Sequence, residues 1–464
     1  MTIAGSTFIT IKEWKSTGKV RKDALSPAHK NYETVSCHKI NVQQLQESIT
    51  KCKHDSAEHG VTKEPEKNRR VGFLEWILTS FAIQKSVPAM LSTQITAGSY
   101  SVINGIRVLS LLWIISGHVC QFILLNNLDN PVQWLLSVPN NVLYIFSLGG
   151  PFYLSVDTFL LISGLLSART LLNKHHQLVQ ALTFKIIKDY VMKRLQRILP
   201  LYIYTMCLLI GMYALVPWKS LGEVPKSLLD KCRRSWWTNL LFINNFVLID
   251  QRCMGWTWYL ANDFQFHLTT PFFILLLYRL LSHTVYNTEY YIKPYCRYGP
   301  FLIGIMLGIL LHHRKGPLLT KTSALTGWLC CLTTMAVVVA LGYALDDSVE
   351  SYSVAPVLYQ SLHRIAWAAA VGWIILVCEK GHAGFVGTFL SSKLWIPLAN
   401  ISYACFLIHP AVIDMYSGLQ ETLLHYTDIN MFYLFIGHTV LAHIIGFALC
   451  IFIQNPVEAL RKYF

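Results

Sequence analysis

Apolar segments recur from residue 102 to the end of the sequence, and several are long enough to cross a lipid bilayer as helices. Crossing takes about 20 consecutive, mostly apolar residues. Backbone polar groups inside a bilayer must be satisfied within the protein, so such a chain folds as a bundle of spanning helices. The sequence therefore predicts an all-α, polytopic transmembrane helical bundle of about ten spans. The expected spans are 102–125, 150–172, 198–217, 237–250, 258–282, 299–312, 324–345, 357–378, 395–416 and 431–454.

Composition supports a membrane protein. Of the 464 residues, 53% are hydrophobic and 14% are charged, against about 25% charged in soluble domains. This excludes a disordered chain and nearly all soluble globules. The net charge of +14 would suggest a nucleic-acid partner in a soluble protein. Here it fits basic loops kept on the cytosolic side, so no nucleic-acid partner is expected.

Loop charges predict the orientation of the spans. Loop 126–149 has no Lys or Arg, whereas loop 173–197 has six. By the positive-inside rule the first hairpin points outward, and both ends of a ten-span chain are cytosolic. Loop 218–236 is the exception, because it carries five basic residues on the predicted outside.

Two regions are expected: a basic, loosely ordered, cytosolic segment at 1–72 and a transmembrane domain at 73–464. The twelve cysteines are scattered, without a metal-type CxxC pair, and neither a metal site nor a tightly bound cofactor is predicted. Cysteines inside apolar runs are interpreted as small buried hydrophobes rather than a disulfide framework. These are Cys120, Cys207, Cys330, Cys331, Cys405 and Cys450.

Arg107 and His118 are ionisable residues in the first predicted span, which makes them functional candidates. Their separation of eleven residues corresponds to about 3 helical turns and roughly 16 Å, on one face. The pair suits a long substrate whose anionic part is held at the cytosolic mouth and whose reactive end reaches the imidazole. The alternative is an interfacial arginine and a packed histidine.

Further charged residues lie at the next two spans. Asp157 sits within an apolar stretch, where a carboxylate beside a histidine could orient the imidazole; otherwise it caps a helix. Arg194 and Arg197 are three residues apart at a cytosolic edge. Arginine forks bind phosphate, although ordinary positive-inside anchoring would also explain them.

Two later stretches combine polar and aromatic residues. Trp258 and Tyr259 precede Asp263, which lies one turn before His267 and within hydrogen-bonding reach of it; a tryptophan belt is the alternative for Trp258. Ser402 and His409 are seven residues apart on one helical face and are treated as pocket or structural residues. No G-x-S-x-G turn surrounds Ser402, and no P-loop, GxGxxG or HExxH motif occurs.

These motifs together resemble the acyltransferase-3 family of membrane proteins, in its nose-resistant-to-fluoxetine type. The resemblance covers roughly residues 73–464 and rests on several motifs in order. They are Ile103-Asn104-Gly105-Ile106-Arg107 with Ser116-Gly117-His118, Val156-Asp157-Thr158-Phe159 to Gly164, Arg194-Leu195-Gln196-Arg197, Trp258-Tyr259-Leu260 to Asp263, Tyr295-Cys296-Arg297-Tyr298-Gly299-Pro300, and Ile401-Ser402-Tyr403 to His409-Pro410.

The resemblance implies an O-acyltransferase that moves an acyl group from acyl-CoA to a hydroxyl of a lipid, sugar or other acceptor. It implies that His118 is the general base and that Arg107, Arg194 and Arg197 hold the donor phosphates. Asp157 would orient the histidine. Trp258, Tyr259, Asp263, Ser402 and His409 would line the substrate pocket.

Two departures leave other functions open. The chain has the basic segment where many animal members carry a secreted, cysteine-bearing domain, and the stretch at 283–297 is short. The competing hypotheses are a carrier or lipid-binding membrane protein using the same cavity, or a catalytically degenerate relative. Membrane lipid, acyl-CoA and a hydroxyl-bearing acceptor are the expected partners, in the endoplasmic reticulum or plasma membrane.

Overall fold

The structure, a computed structural model, describes residues 1–25, 72–95, 98–126, 128–137, 141–147, 150–174, 184–216, 223–247, 251–279, 294–313, 319–344 and 354–461. Most of the N-terminal segment predicted at 1–72 lies outside the described residues, as does the stretch at 283–297 up to residue 293. The boundary at residue 72 therefore stays a prediction.

Every regular element in these ranges is helical, and the one β-bridge, between Leu128 and Leu424, is isolated. The predicted all-α class is confirmed. The helices are α1 Thr2–Leu25, α2 Phe73–Ser80, α3 Ile83–Leu91, α4 Val102–Asn126, α5 Pro131–Ser137, α6 Leu154–Lys174, α7 Phe184–Leu215, α8 Glu223–Leu240, α9 Trp258–Arg279, α10 Pro294–His313, α11 Lys321–Ala344, α12 Val354–Glu379, α13 Gly384–Leu390, α14 Trp395–Leu419, α15 Asp428–Leu449 and α16 Asn455–Arg461.

Two compact units are present. The first comprises Met1–Ser86 with 459–464, and in it Lys12 of α1 forms an ion pair with Glu75 of α2. The second comprises Val87–Glu458 and contains all the candidate site residues.

The second unit supplies the long apolar helices of a polytopic bundle. Among the described residues, seven segments are long and apolar enough to cross a membrane, and a shorter apolar helix covers Arg297–His312. The seven are Val102–Leu124, Val142–Leu172, Ile187–Leu215, Lys321–Tyr343, Leu362–Glu379, Trp395–Leu419 and Asp428–Arg461.

The predicted span at 237–250 is wrong. Helix α8 ends at Leu240, Phe242 adopts a left-handed backbone with φ 55°, and a short 3-10 turn follows at Asn244–Phe246. Asn245 is buried there and donates from Nδ2 to Asn262 Oδ1 at 2.7 Å. The apolar run therefore forms an irregular turn whose polar groups are satisfied by protein, not a lipid-facing helix.

Helix α6 is flanked by two helices that run parallel to it. Ser163 and Ser167 of α6 contact Asp263 and His267 of α9, so the contacts advance in the same direction along both chains. Ten spans in strict alternation would make these two helices antiparallel, and that prediction is wrong. Because 237–250 does not cross, α9 starts from the same end of the bundle as α6.

Close backbone contact joins α6 to α10. The two helices run parallel, because Asp157 pairs with Arg297 near their starts and Ala168 packs against Gly308 further along both. A Cβ at Gly164 would lie 2.1 Å from the Phe301 carbonyl oxygen, and one at Gly304 would lie 2.0 Å from that of Leu161. Any larger residue at either position would push the two helices apart. The glycines therefore fix α6 and α10 as one tightly packed pair.

A disulfide between Cys232 and Cys253 joins α8 to the turn before α9. Disulfides persist in oxidising compartments, which agrees with the outward placement of 218–236 by the alternation of spans, although the five basic residues of that loop oppose it. We call this end of the bundle the outer end, and the end at 174–184 the cytosolic end. The six cysteines predicted to be small hydrophobes are free, but the sequence interpretation missed this linked pair.

A buried ion pair also ties α6 to α10. Arg297 Nη1 donates to Asp157 Oδ1 at 2.9 Å, and both side chains are 0% exposed. The Arg297 guanidinium also lies 5.1 Å from the ring centroid of Trp258. A charge at this depth is costly unless it is paired, so each partner depends on the other.

Replacing Arg297 by methionine should strongly destabilise the protein. The buried Asp157 carboxylate would lose its cation, and we expect the free energy of unfolding to fall by about 3–5 kcal/mol. Thermal melting in detergent measures this. The control is Arg233→Met, whose 3.6 Å pair with Asp230 is exposed and contributes about 1 kcal/mol or less. Similar melting shifts for the two variants would contradict a structural role for the buried pair.

Candidate active site

Three cavities follow one another from the cytosolic end to the outer end of the second unit. The first, here the cytosolic cavity, has a volume of about 460 Å³ and is lined by Arg107, Arg169 and Asn400 among others. The second, the arginine cavity, is smaller at about 140 Å³. The third, the histidine cavity, measures about 390 Å³ and contains His118.

Neighbouring cavities share lining residues. Arg107 and Asn400 line both the cytosolic and the arginine cavity. Tyr259 and Phe406 line both the arginine and the histidine cavity, and their rings meet edge to face with centroids 5.4 Å apart. Tyr259 and Phe406 therefore form the boundary between the arginine and histidine cavities.

Three arginines line the arginine cavity, and they are not equivalent. Arg194 pairs with Asp263 and also donates to Ser163 Oγ at 3.1 Å. Neither Arg107 nor Arg197 has a hydrogen-bond or ion-pair partner in the part of the chain that the structure describes. The two unpaired guanidiniums are available to a phosphate, whereas Arg194 is already committed to a carboxylate.

Asp263 is a structural anchor rather than an open ligand group. Its Oδ1 accepts from Ser163 and its Oδ2 accepts from Arg194, and its side chain is 2% exposed. The predicted hydrogen bond from Asp263 to His267 is not formed. His267 instead stacks on Tyr190, with ring centroids 3.8 Å apart, and its Nδ1 lies 3.0 Å from Ser167 Oγ.

His118 contacts a second histidine. Its Nδ1 lies 2.8 Å from Nε2 of His409 on α14. His409 is 0% exposed, whereas His118 is partly exposed to its cavity. The edges of Phe122 and Phe152 flank the His118 ring, at centroid distances of 5.9 and 6.1 Å. The imidazole is therefore held from behind and on two sides.

Hydrogen bonding sets the tautomers of this pair. His409 Nδ1 lies 3.0 Å from the Cys405 carbonyl oxygen, which accepts only, so His409 carries its proton on Nδ1. A fully buried imidazolium is costly, so His409 is neutral and its Nε2 accepts. His118 then donates from Nδ1, and in its neutral form it carries a lone pair on Nε2. That is the state a general base requires.

The predicted contact between Asp157 and His118 is wrong. The Asp157 carboxylate pairs with Arg297, and the group bonded to the imidazole is His409. Asp157 was a reasonable candidate because a buried acid near a histidine often orients it. The actual partner of Asp157, Arg297, lies 140 positions further along the chain, and no local sequence pattern predicts a contact over that separation.

The remaining candidates lie at the cavities in different roles. Trp258 lines the histidine cavity, and Tyr259 lies at the boundary between two cavities. Ser402 lines the arginine cavity, but its hydroxyl donates to the Ala399 carbonyl oxygen at 2.8 Å. No hydrogen bond joins Ser402 to His409 within the described ranges, so they do not form a serine–histidine nucleophile.

Four residues that line the cavities were not predicted from the sequence: Arg169, Lys231, Arg252 and Phe406. Lys231 and Arg252 each stand next to a cysteine of the disulfide. Cys232 and Cys253, two cysteines outside the predicted apolar runs, were the available signal, but the ten-span prediction places 218–236 outside and 251–257 on the cytosolic side, so the pair was not expected. Phe406 gives no signal of its own, because it is one apolar residue within an apolar helix.

Comparison with known proteins identifies the class. Residues 100–286 match the family model described as an acyltransferase domain, acyltransferase-3. That range contains Arg107, His118, Arg194 and Arg197. The chain thus carries an acyltransferase-3 domain, and its apolar helices make it an integral membrane protein. The resemblance predicted from the sequence is confirmed.

Two relatives from Caenorhabditis elegans are similar to this chain, and the first supports the nose-resistant-to-fluoxetine type. "Nose resistant to fluoxetine protein 6" is 27% identical over 449 residues, covering 83% of this chain and 53% of the relative. "Regulator of hypoxia-inducible factor 1" is 21% identical over 452 residues, covering 84% of this chain and 85% of the relative. The chain spans about half the length of the first of these. No solved structure gives a significant match.

Arg194 and Arg197 should differ in what their loss does. Arg194→Ala removes the cation of the buried Asp263, so we expect unfolding to become easier by about 3 kcal/mol or more. Arg197→Ala removes an exposed, unpaired guanidinium and should leave the melting temperature unchanged. Thermal melting of both variants measures this. Equal changes in melting temperature would contradict a structural role for Arg194 and a ligand-binding role for Arg197.

Proposed function

We propose that this protein is a membrane O-acyltransferase that moves an acyl group from acyl-CoA to a hydroxyl-bearing acceptor. The acyltransferase-3 domain supports acyltransferase activity. The observation that carries the finer proposal is the adjacency of two cavities, one with unpaired arginines and one with an imidazole hydrogen-bonded to a second histidine. The disulfide supports a membrane of the secretory route, in the endoplasmic reticulum or at the cell surface.

The donor would bind from the cytosolic end. Coenzyme A carries several phosphates, and guanidinium groups bind phosphate through charge-assisted, bidentate hydrogen bonds. Arg107 and Arg197 form no ion pair with a carboxylate among the described residues, so they would take this role. Arg194 would support the wall of the cavity through Asp263. The acyl thioester would then extend past Tyr259 and Phe406 toward the histidine cavity.

The acceptor would occupy the histidine cavity, which lies at the outer end. His118 Nε2 would take the proton of the acceptor hydroxyl as its oxygen attacks the thioester carbonyl carbon. A C–O bond forms, the C–S bond breaks, and the proton passes from His118 to the departing sulfur, giving an ester and free CoA. The exchange needs no oxidant or metal, and a positioned base accelerates such a step by about 10²–10⁴-fold.

His409 would position the base without touching the substrate. It accepts from His118 Nδ1–H, and its own Nδ1 is fixed by the Cys405 carbonyl oxygen. This arrangement keeps the free lone pair on Nε2 and stabilises positive charge that develops on the ring during proton transfer. His409 is thus the orienting partner that the sequence assigned to Asp157.

A carrier is the second candidate, because the cavities share lining residues along most of the bundle. A carrier would release its solute chemically unchanged, whereas a transferase cleaves a thioester. Mass spectrometry of the products formed from acyl-CoA and a membrane lipid extract separates the two. Unchanged acyl-CoA recovered on the far side of a proteoliposome would favour the carrier.

Substitutions at the two histidines test the base and its orientation. We expect His118→Ala to lower transfer by about 10²–10⁴-fold, with insertion and melting retained. His409→Ala should also lower the rate, because His118 loses its acceptor. His409→Gln should retain more activity than His409→Ala, since the amide oxygen can accept from His118 Nδ1–H. Near-wild-type transfer by His409→Ala, or no advantage of glutamine, would contradict the orienting role.

The phosphate-binding role is tested by comparing two donors. Arg197→Ala should raise the KM for acyl-CoA by about tenfold, the scale of one lost charge-assisted hydrogen bond. The KM for acyl-pantetheine, which lacks the nucleotide phosphates, should not change. Steady-state kinetics with both donors measures this. An equal loss with both donors would place Arg197 outside the phosphate site.

A further inference from the structure

Two cations line the histidine cavity alongside the proposed base. Lys231 comes from α8 and Arg252 from the loop before α9. Lys231 is partly buried, and Arg252 is 7% exposed. Their position at the outer end is unexpected under the positive-inside rule, which disfavours basic residues there.

Neither cation is neutralised by a carboxylate in the described part of the chain. Arg252 Nε donates to the Val247 carbonyl oxygen at 2.8 Å, and its Nη2 lies 3.4 Å from that of Asn245. These hydrogen bonds hold the guanidinium in place, but the carbonyl groups do not neutralise its positive charge. Lys231 has no ion pair among the described residues, in contrast to Arg233 on the same helix, which lies 3.6 Å from Asp230.

The disulfide fixes the two cations relative to each other. Lys231 precedes Cys232, and Arg252 precedes Cys253, so the cross-link joins the two backbones that carry them. Two hydrogen bonds reinforce the junction: Ser235 Oγ donates to the Gln251 carbonyl oxygen at 2.6 Å, and Asn239 Nδ2 donates to that of Cys253 at 2.9 Å. The backbone positions that carry the two charges are therefore fixed before any ligand arrives.

The remaining lining defines what could bind. Asp414 is the one carboxylate in the described lining, so the cations outnumber it. Trp256, Trp258 and Phe152 supply aromatic walls. A cavity with fixed positive charge, aromatic walls and an imidazole suits a molecule that combines an anionic group with a hydroxyl.

We propose that the histidine cavity binds a phosphorylated polyol, with its phosphate on Lys231 and Arg252 and its hydroxyl directed at His118. The part played by His118 rests on the proposed acyl transfer; the phosphate site stands without it. The same phosphate-polyol chemistry occurs in a soluble sugar phosphate and in the headgroup of an anionic lipid. In the proposed reaction, the molecule that accepts the acyl group would therefore be a phosphate ester that carries a free hydroxyl.

Direct binding tests the phosphate site. Isothermal calorimetry would titrate glycerol 3-phosphate, and glycerol as its neutral counterpart, into the full-length protein in phosphatidylcholine nanodiscs. We expect saturable binding of the phosphate and none of glycerol. Lys231→Ala should weaken binding by about tenfold, whereas Lys231→Arg should retain it. The matched control is Arg234→Ala, which removes an exposed charge from the same helix outside the cavity.

The Arg234→Ala control distinguishes a specific phosphate site from a general attraction of the phosphate to basic residues. Equal weakening by Lys231→Ala and Arg234→Ala would overturn the proposal, as would wild-type protein that binds neither glycerol 3-phosphate nor phosphatidylglycerol. The double variant Cys232→Ser, Cys253→Ser gives a second measurement. If it stays folded, it should bind the phosphate more weakly; unchanged binding would overturn the role of the disulfide.

A competition experiment with an anionic lipid identifies whether the bound phosphate belongs to a lipid or to a soluble molecule. Phosphatidylglycerol added to the nanodiscs should displace glycerol 3-phosphate if a lipid headgroup is the natural occupant. Undiminished binding of glycerol 3-phosphate would identify a soluble phosphate instead, and both results support the site. Acyl transfer to the bound polyol is scored separately. Phosphate binding without transfer would count against the proposed function while leaving the site intact.

Discussion

A charge inside an apolar bundle must either be paired with an opposite charge or keep contact with water, and this constraint organises the structure. Two acidic residues deep in the bundle, Asp157 and Asp263, each have an arginine partner. Four cations that have no ion pair among the described residues line the cavities: Arg107, Arg197, Lys231 and Arg252. The distribution of pairing therefore separates residues that hold helices together from residues that are available to a ligand.

Helix α6 contacts both buried pairs and so links the scaffold to the site. Asp157 holds α10, and Ser163 joins the Asp263–Arg194 pair that connects α9 and α7. The consequence is that Tyr259, on α9, is held at the boundary between the arginine and histidine cavities. Chemistry at this boundary would join a ligand from the cytosolic end to one from the outer end, which is how the proposed transfer would use the bundle.

The sequence predicts the class and the two ends of the site well, because these depend on local patterns. Apolar run length predicts the helices, and the eleven-residue spacing separates Arg107 from His118. The partners of charged groups could not be predicted in this way. His409 lies 291 positions from His118, and Arg297 lies 140 positions from Asp157. The span at 237–250 failed because hydropathy cannot distinguish a short buried turn from a short membrane helix.

We propose that His409 holds His118 as a neutral imidazole with its proton on Nδ1 and a free lone pair on Nε2. The most direct measurement is solid-state NMR of the protein in lipid bilayers, carrying isotope-labelled histidine, with a His118→Ala sample to identify the signal. The account predicts a neutral ring with a protonated Nδ1 and an unprotonated Nε2. An imidazolium signal, or a neutral ring with its proton on Nε2, would contradict it.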